Sequence, residues 1–278
     1  MSSFLPFRWH VAELIVIIAA GVSHWLLVGP LRQRLYAIYA LLALAVATMW
    51  PLGDLAATVS LTAAVVQRLV IMVFVAPMLL LSTPTSVFSR LTRPAFVDAV
   101  MRRVAHPGLA LAIVTVLGTY TLTPAVVDWG ARGELNRDCL VLGVLAIGLV
   151  LWIPGLALMP GTKRLSPIGR AAYIFVSALV VTSLSFVWIF AHHSLYPALH
   201  DQHALLDMTP LFDQQLAGFV AKFGCYMPMW TVSFVIFSHA EEQGIPVEET
   251  PLHWADVERE LERIDRQRAR ALRRHRPS

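Results

Sequence analysis

Asp213-Gln214-Gln215-Leu216-Ala217-Gly218 opens an apolar run that continues to Ser238, interrupted by a single lysine, Lys222. The run is long enough, at about 1.5 Å per residue, to cross the roughly 30 Å hydrocarbon core of a bilayer as a helix. It is far too long for a strand and shows no alternation of polar and apolar residues. A carboxylate and two amides at the mouth of such a span are costly unless another group uses them. This stretch therefore decides the class of the fold and marks a candidate site.

Six further segments qualify as spans, at roughly 10–30, 33–52, 56–82, 105–127, 138–159 and 169–191, with 213–238 as the seventh. Composition agrees. Of 278 residues 57% are hydrophobic and only 14% charged, against about 25% charged in a soluble domain. Mean hydropathy is +0.64. The expected fold is an all-α membrane protein of seven transmembrane helices. Arg8 and the first apolar run read as a span, not as a cleaved leader, because no small-residue cleavage site follows.

Orientation follows the basic residues. Arg32 and Arg34, then Arg90, Arg93, Arg102 and Arg103, then Lys163, Arg164 and Arg170 fall in alternate loops, and eight more lie between Arg259 and Arg276. The opposite loops carry only Arg132 and Arg137. The N-terminus is expected outside and the C-terminus in the cytoplasm. Residues 1–240 form the membrane domain and 241–278 a cytoplasmic tail. From Thr250 the tail reads as an amphipathic helix: Thr250 and Pro251 suit its start, and acids precede bases along it. Trp254, Val257, Leu261 and Ile264 form one apolar seam for a partner helix or the bilayer surface.

Arg68 and Lys222 lie at membrane depth, and Glu13 near one boundary. Each cation needs a partner there. An anionic lipid or small-molecule group is one option; backbone carbonyls, Glu13 or water is the plainer one. Gln214, Gly218, Lys222, Cys225 and Met229 recur at helical spacing, and Gly218 admits a close neighbour. Pro77 and Pro228 each remove a backbone donor and should bend their helices.

Cys225, Met227 and Met229 place three soft donors within five residues, and Met72 lies on the third span. Thiolate and thioether suit Cu(I), although such residues are also ordinary core. His192, His193, His200 and His203 gather before the last span as further metal candidates, without a zinc spacing. The two cysteines lie in apolar runs and offer no disulfide framework. No phosphate loop, nucleophile elbow, HExxH or nucleic-acid motif is present, so the chain reads as a non-enzyme.

Four stretches carry a likeness: Trp50-Pro51-Leu52-Gly53-Asp54-Leu55-Ala56; Gln67 through Pro84; Leu151-Trp152-Ile153-Pro154; and Tyr196-Pro197 with Thr209 through Gly218. On these the chain resembles the bacterial CtaG-like family of cytochrome c oxidase assembly factors. The resemblance implies a seven-helix plasma-membrane protein concerned with copper-centre maturation. Its partners would be membrane lipids and a terminal-oxidase subunit, and its site would lie around Gln67, Arg68, Asp213, Gln214 and Gln215. The chain departs from the family pattern where histidines are expected. Ala64 and Arg68 replace two on the third span, Leu122-Thr123-Pro124 replaces a His-x-Pro, and Asn136–Val141 holds no pair. Lys222 stands where the family has tryptophan. These changes turn a metal-compatible pocket into an anion-compatible one. The competing reading is an anion- or lipid-binding membrane protein, or a transporter, on the same fold.

Overall fold

The computed structural model describes residues 11–27, 30–158, 165–196 and 208–242, and all regular structure among them is helical. The chain opens with α1 (Val11–Leu27), α2 (Leu31–Thr48) and the short α3 (Leu52–Thr58). Next, α4 (Leu61–Leu69) runs through a π-helical segment, Val70–Val75, into α5 (Ala76–Ser82). Then come α6 (Thr85–Leu91), α7 (Ala95–Val104), α8 (Pro107–Tyr120), α9 (Pro124–Ala131) and α10 (Glu134–Leu156). The last elements are α11 (Pro167–Val181), α12 (Ser185–Ile189) and α13 (Pro210–Glu242).

Each of the seven apolar segments holds a helix. Four stretches are long and apolar enough to cross a membrane unaided: Leu61–Ser82, Glu134–Leu156, Pro167–Ile189 and Pro210–Ala240. A fifth is reached if α7 and α8, bent by 86° at their junction, count as one span. α1 has 17 residues, and α2 opens on the polar Arg32-Gln33-Arg34. The chain is thus a multi-pass, all-helical protein with four to five candidate spans. It divides into two compact units, Met1–Ser238 and His239–Ser278. The amphipathic tail helix expected from Thr250 onward lies outside the described residues.

The main core joins Val73 and Leu80 to Val114 of α8, Leu151 and Trp152 of α10, Ile174 of α11, and Cys225 and Met229 of α13. Gly148 makes the closest packing possible: a Cβ there would stand 2.9 Å from Met72 Cα and from Ala76 Cβ. Only a bare α-carbon lets α10 approach so near.

The π-helical segment has a local cause. Ala76 N–H reaches back five residues to the Ile71 carbonyl. The next bond in that series would join residue 77 to the Met72 carbonyl, but Pro77 has no N–H. Trp152 Nε1 supplies the missing donor, reaching the Met72 oxygen at 2.9 Å. Two of the four quoted stretches are therefore complementary halves of one contact. At the far end of α10, Arg170 Nε donates to the Gly155 carbonyl at 2.6 Å, a cation on a helix C-terminus.

Candidate functional site

Apart from Lys222, the polar residues singled out on the spans gather at one end of the bundle, where α4, α10 and α13 begin and α8 ends. Asp213, 1% exposed, is the centre of the first contact. Its Oδ1 accepts from Ser60 Oγ at 2.7 Å and from Thr62 N at 3.2 Å; its Oδ2 accepts from Leu61 N at 2.7 Å. Thr62 Oγ1 also donates to the Asp213 carbonyl at 2.9 Å. The first residues of α4 have no carbonyl partner within their own helix. Asp213 provides a negative charge where the dipole of α4 is positive. Its role is an inter-helix cap.

The two glutamines hold the preceding loop. Gln214 Oε1 accepts from Leu195 N at 2.7 Å, Gln214 Nε2 donates to the His193 carbonyl at 3.5 Å, and Gln215 Nε2 donates to the Ala191 carbonyl at 3.2 Å. Gly218 follows one turn later. A Cβ there would lie 2.8 Å from Ile189 Cγ1 and 2.9 Å from the Ser185 carbonyl, so glycine is what brings α12 against α13. In the same loop Tyr196 donates from its hydroxyl to the Leu122 carbonyl at 2.6 Å and meets Trp188 edge-on, with ring centres 6.1 Å apart. Burial pushes the Tyr196 phenol up to about 12, against smaller opposing effects from Trp188 and the Arg68 guanidinium. It stays a donor at any physiological pH.

Arg68 grips the neighbouring residue. Its two Nη groups donate to Thr121 Oγ1 and to the Thr121 carbonyl, both at 2.7 Å. Among the described residues no carboxylate pairs with it. Two small cavities flank it. One, of about 50 Å³, has Ala64, Gln67, Leu122, Arg137, Leu140 and Val141 on its wall. The other, of about 80 Å³, is lined by Met72, Thr121, Trp188 and Cys225. Gln67 is buried and donates from Nε2 to the Ala47 carbonyl at 2.9 Å, tying α4 to α2. The first cavity is also where the positions of the missing histidines meet. Ala64, Arg68, Leu122 and the 136–141 stretch, scattered in sequence, share its wall.

Arg137 was counted in the sequence only as a loop charge. It is buried, with Glu13 Oε1 at 3.0 Å, Asp54 Oδ1 at 3.4 Å and Asp138 Oδ1 at 3.9 Å. Glu13 is thus the partner of Arg137 and not of Arg68 or Lys222. Asp54, from the Trp50–Ala56 stretch, enters the site by this route. The single acids in the first turns of α1 and α3, Glu13 and Asp54, were the available signal.

Arg68 and Lys222 do not converge. Lys222 Nζ donates to Tyr226 OH at 3.0 Å and lies 3.5 Å from the centre of the Phe186 ring, on the flank of α13. It lines neither of the cavities beside Arg68. The sulfur cluster also divides. Cys225 Sγ and Met229 Sδ are 3.4 Å apart in the core, and Met72 shares a cavity wall with Cys225. Met227 points away and is 66% exposed. His192 and His193 lie in the loop held by the glutamines; His200 and His203 lie outside the described residues. Among the described residues no three His, Cys, Asp or Glu side chains gather as a metal site.

The family model described as cytochrome c oxidase caa3 assembly factor (Caa3_CtaG) matches residues 9–242. No curated protein and no solved structure matches the chain.

Proposed function

Because the chain belongs to the cytochrome c oxidase caa3 assembly factor family, we propose that it is a non-enzymatic protein of the bacterial plasma membrane that holds a terminal-oxidase subunit during assembly. The observation that carries this reading is how the polar residues are used. Asp213, Gln214, Gln215, Gln67 and Tyr196 each close a contact between helices or between a helix and a loop. Groups committed in this way build a rigid platform suited to holding a partner. On this reading all seven apolar segments span with the N-terminus outside, and the site end faces outward. Deleting the gene should abolish cytochrome c oxidase activity while quinol oxidation continues, and the intact chain should restore it. Unaltered cytochrome c oxidase activity in the deletion strain overturns the proposal.

Copper is proposed as cargo at Cys225 and Met229, whose thiol and thioether suit a soft monovalent ion. Copper-to-protein ratio is the readout. A ratio unchanged in the Cys225→Ser/Met229→Leu variant removes this part of the reading.

A second reading rests on Arg68. A guanidinium at membrane depth with neutral partners only, beside two cavities, suits a small anion such as a carboxylate. On that reading propionate or phosphate raises the thermal stability of the purified protein, and Arg68→Ala removes the effect. Equal stabilisation of the variant rejects it.

A further inference from the structure

We infer that a groove between α1, α2 and α10 holds one ethanolamine phospholipid, its ammonium on Glu13, Thr48 and Asp138 and an acyl chain running below them. The inference stands apart from the readings above.

The groove follows from how the three helices meet. α1 packs along α2 and reaches α10 through the Glu13–Arg137 pair. The space left between them has a volume of about 230 Å³, larger than either cavity beside Arg68. An apolar cavity of about 150 Å³ already admits benzene. A partner helix, about 10 Å across, is too wide for it. Leu142 lines the groove and is 63% exposed, so the groove opens on the flank of the bundle. In a multi-pass protein that flank meets lipid.

Each wall is polar at one level and apolar one turn deeper. Glu13 and Ile17 on α1, Thr48 and Leu44 on α2, and Asp138 and Leu142 on α10 all line the groove, and each pair is four residues apart. Leu145 carries the apolar part on, roughly 10 Å along α10 from Asp138. The three polar residues lie within about a turn of their helix ends. Asp138 is one turn into the span Glu134–Leu156, close to headgroup level. A polar end at the interface with an apolar channel beneath it is the shape of an amphiphile lying along the membrane normal.

The polar residues decide the head. Glu13 and Asp138 are carboxylates, with side chains 18% and 40% exposed. They disfavour a head of net negative charge. A carboxylate can accept about four hydrogen bonds, so Arg137, at 3.0 Å from one and 3.9 Å from the other, leaves each able to take another donor. Thr48 Oγ1 donates its proton to the Leu44 carbonyl at 2.9 Å, so toward the groove it is an acceptor. Three acceptors match the three N–H donors of a primary ammonium. A choline head has the charge but no N–H. Charge-assisted bonds of this kind are the strong ones.

The test offers the purified full-length protein equal amounts of phosphatidylethanolamine, its N-monomethyl and N-dimethyl forms, phosphatidylcholine and phosphatidylglycerol, all with the same acyl chains. Native mass spectrometry reads the lipid retained. Phosphatidylethanolamine should be held about tenfold more tightly than phosphatidylcholine, as the loss of a charge-assisted bond implies, with the methylated forms between them in order. Asp138→Asn should remove most of that preference. Asp98→Asn, which changes an acid at the start of α7 outside the groove, should leave it intact. Equal retention of all five lipids, a preference for phosphatidylglycerol, or an undiminished preference in Asp138→Asn each overturn the inference. If Asp138→Asn does not fold, the methylation series on the unaltered protein decides alone: a flat series rejects the ammonium site.

Discussion

At the scale of single residues, the site is a set of capping bonds whose costs can be separated. Asp213 is buried and accepts three bonds from the start of α4. Asp213→Ala leaves those donors unsatisfied and should cost about 3 kcal/mol, seen as a lower midpoint in thermal unfolding in detergent. Asp213→Asn keeps one acceptor and should lose clearly less. Glycines give a matched control. Gly218→Ala drives a methyl into Ile189 and Ser185 and should destabilise by about 1–3 kcal/mol, whereas Gly143→Ala meets nothing within 4 Å and should be neutral or slightly stabilising. Equal effects at the two glycines would show that α12 does not pack as described. The chemistry of Asp213 was legible in the sequence as an acid that needs a use. Its partner was not, because Ser60 is 153 positions away and nothing local marks it. Met227 is the reverse case. Three sulfurs in five residues suggest a cluster, yet positions two apart never share a helix face, and the backbone period separates Met227 from Cys225 and Met229.

Among the elements, the exchange between Pro77 and Trp152 is the one that a double-mutant cycle isolates. Trp152→Phe should cost about 1 kcal/mol, because the Met72 carbonyl loses the indole donor. Pro77→Ala restores a backbone N–H in phase with that carbonyl. In the Pro77→Ala background Trp152→Phe should therefore cost much less, and additive losses would reject the account. The four long apolar stretches, Leu61–Ser82, Glu134–Leu156, Pro167–Ile189 and Pro210–Ala240, were legible because apolar length alone specifies a membrane helix, whereas the expected count of seven meets four to five candidate spans. Their interruptions were less so. The third span was expected from residue 56, but the helix breaks at Ser60, whose hydroxyl accepts from Ala63 N and starts α4 anew. The role of Arg137 is hidden for a similar reason: its acids come from positions 83 and 124 residues away, and a loop-charge count does not see pairing.

For the whole molecule, the basic residues predict the sidedness that an assembly role needs. A green fluorescent protein fused after Ser278 should fluoresce, and an alkaline phosphatase fused there should be inactive, since both report a cytoplasmic end. The reverse pair of results would place the site end against the cytoplasm and remove its access to an external copper centre. Sidedness is an expectation that charge alone supplies, because charge, unlike packing, needs no knowledge of neighbours. The cap on α4 has a further meaning in time. Leu61 and Thr62 leave the ribosome long before Asp213, and at bacterial rates of about 5–20 residues per second the interval is on the order of ten seconds. Throughout that interval the amides of Leu61 and Thr62 at the start of α4 lack the carboxylate that caps them. α13 closes a contact that α4 opens, so a chain that stalls before Asp213 keeps an unfinished start to α4.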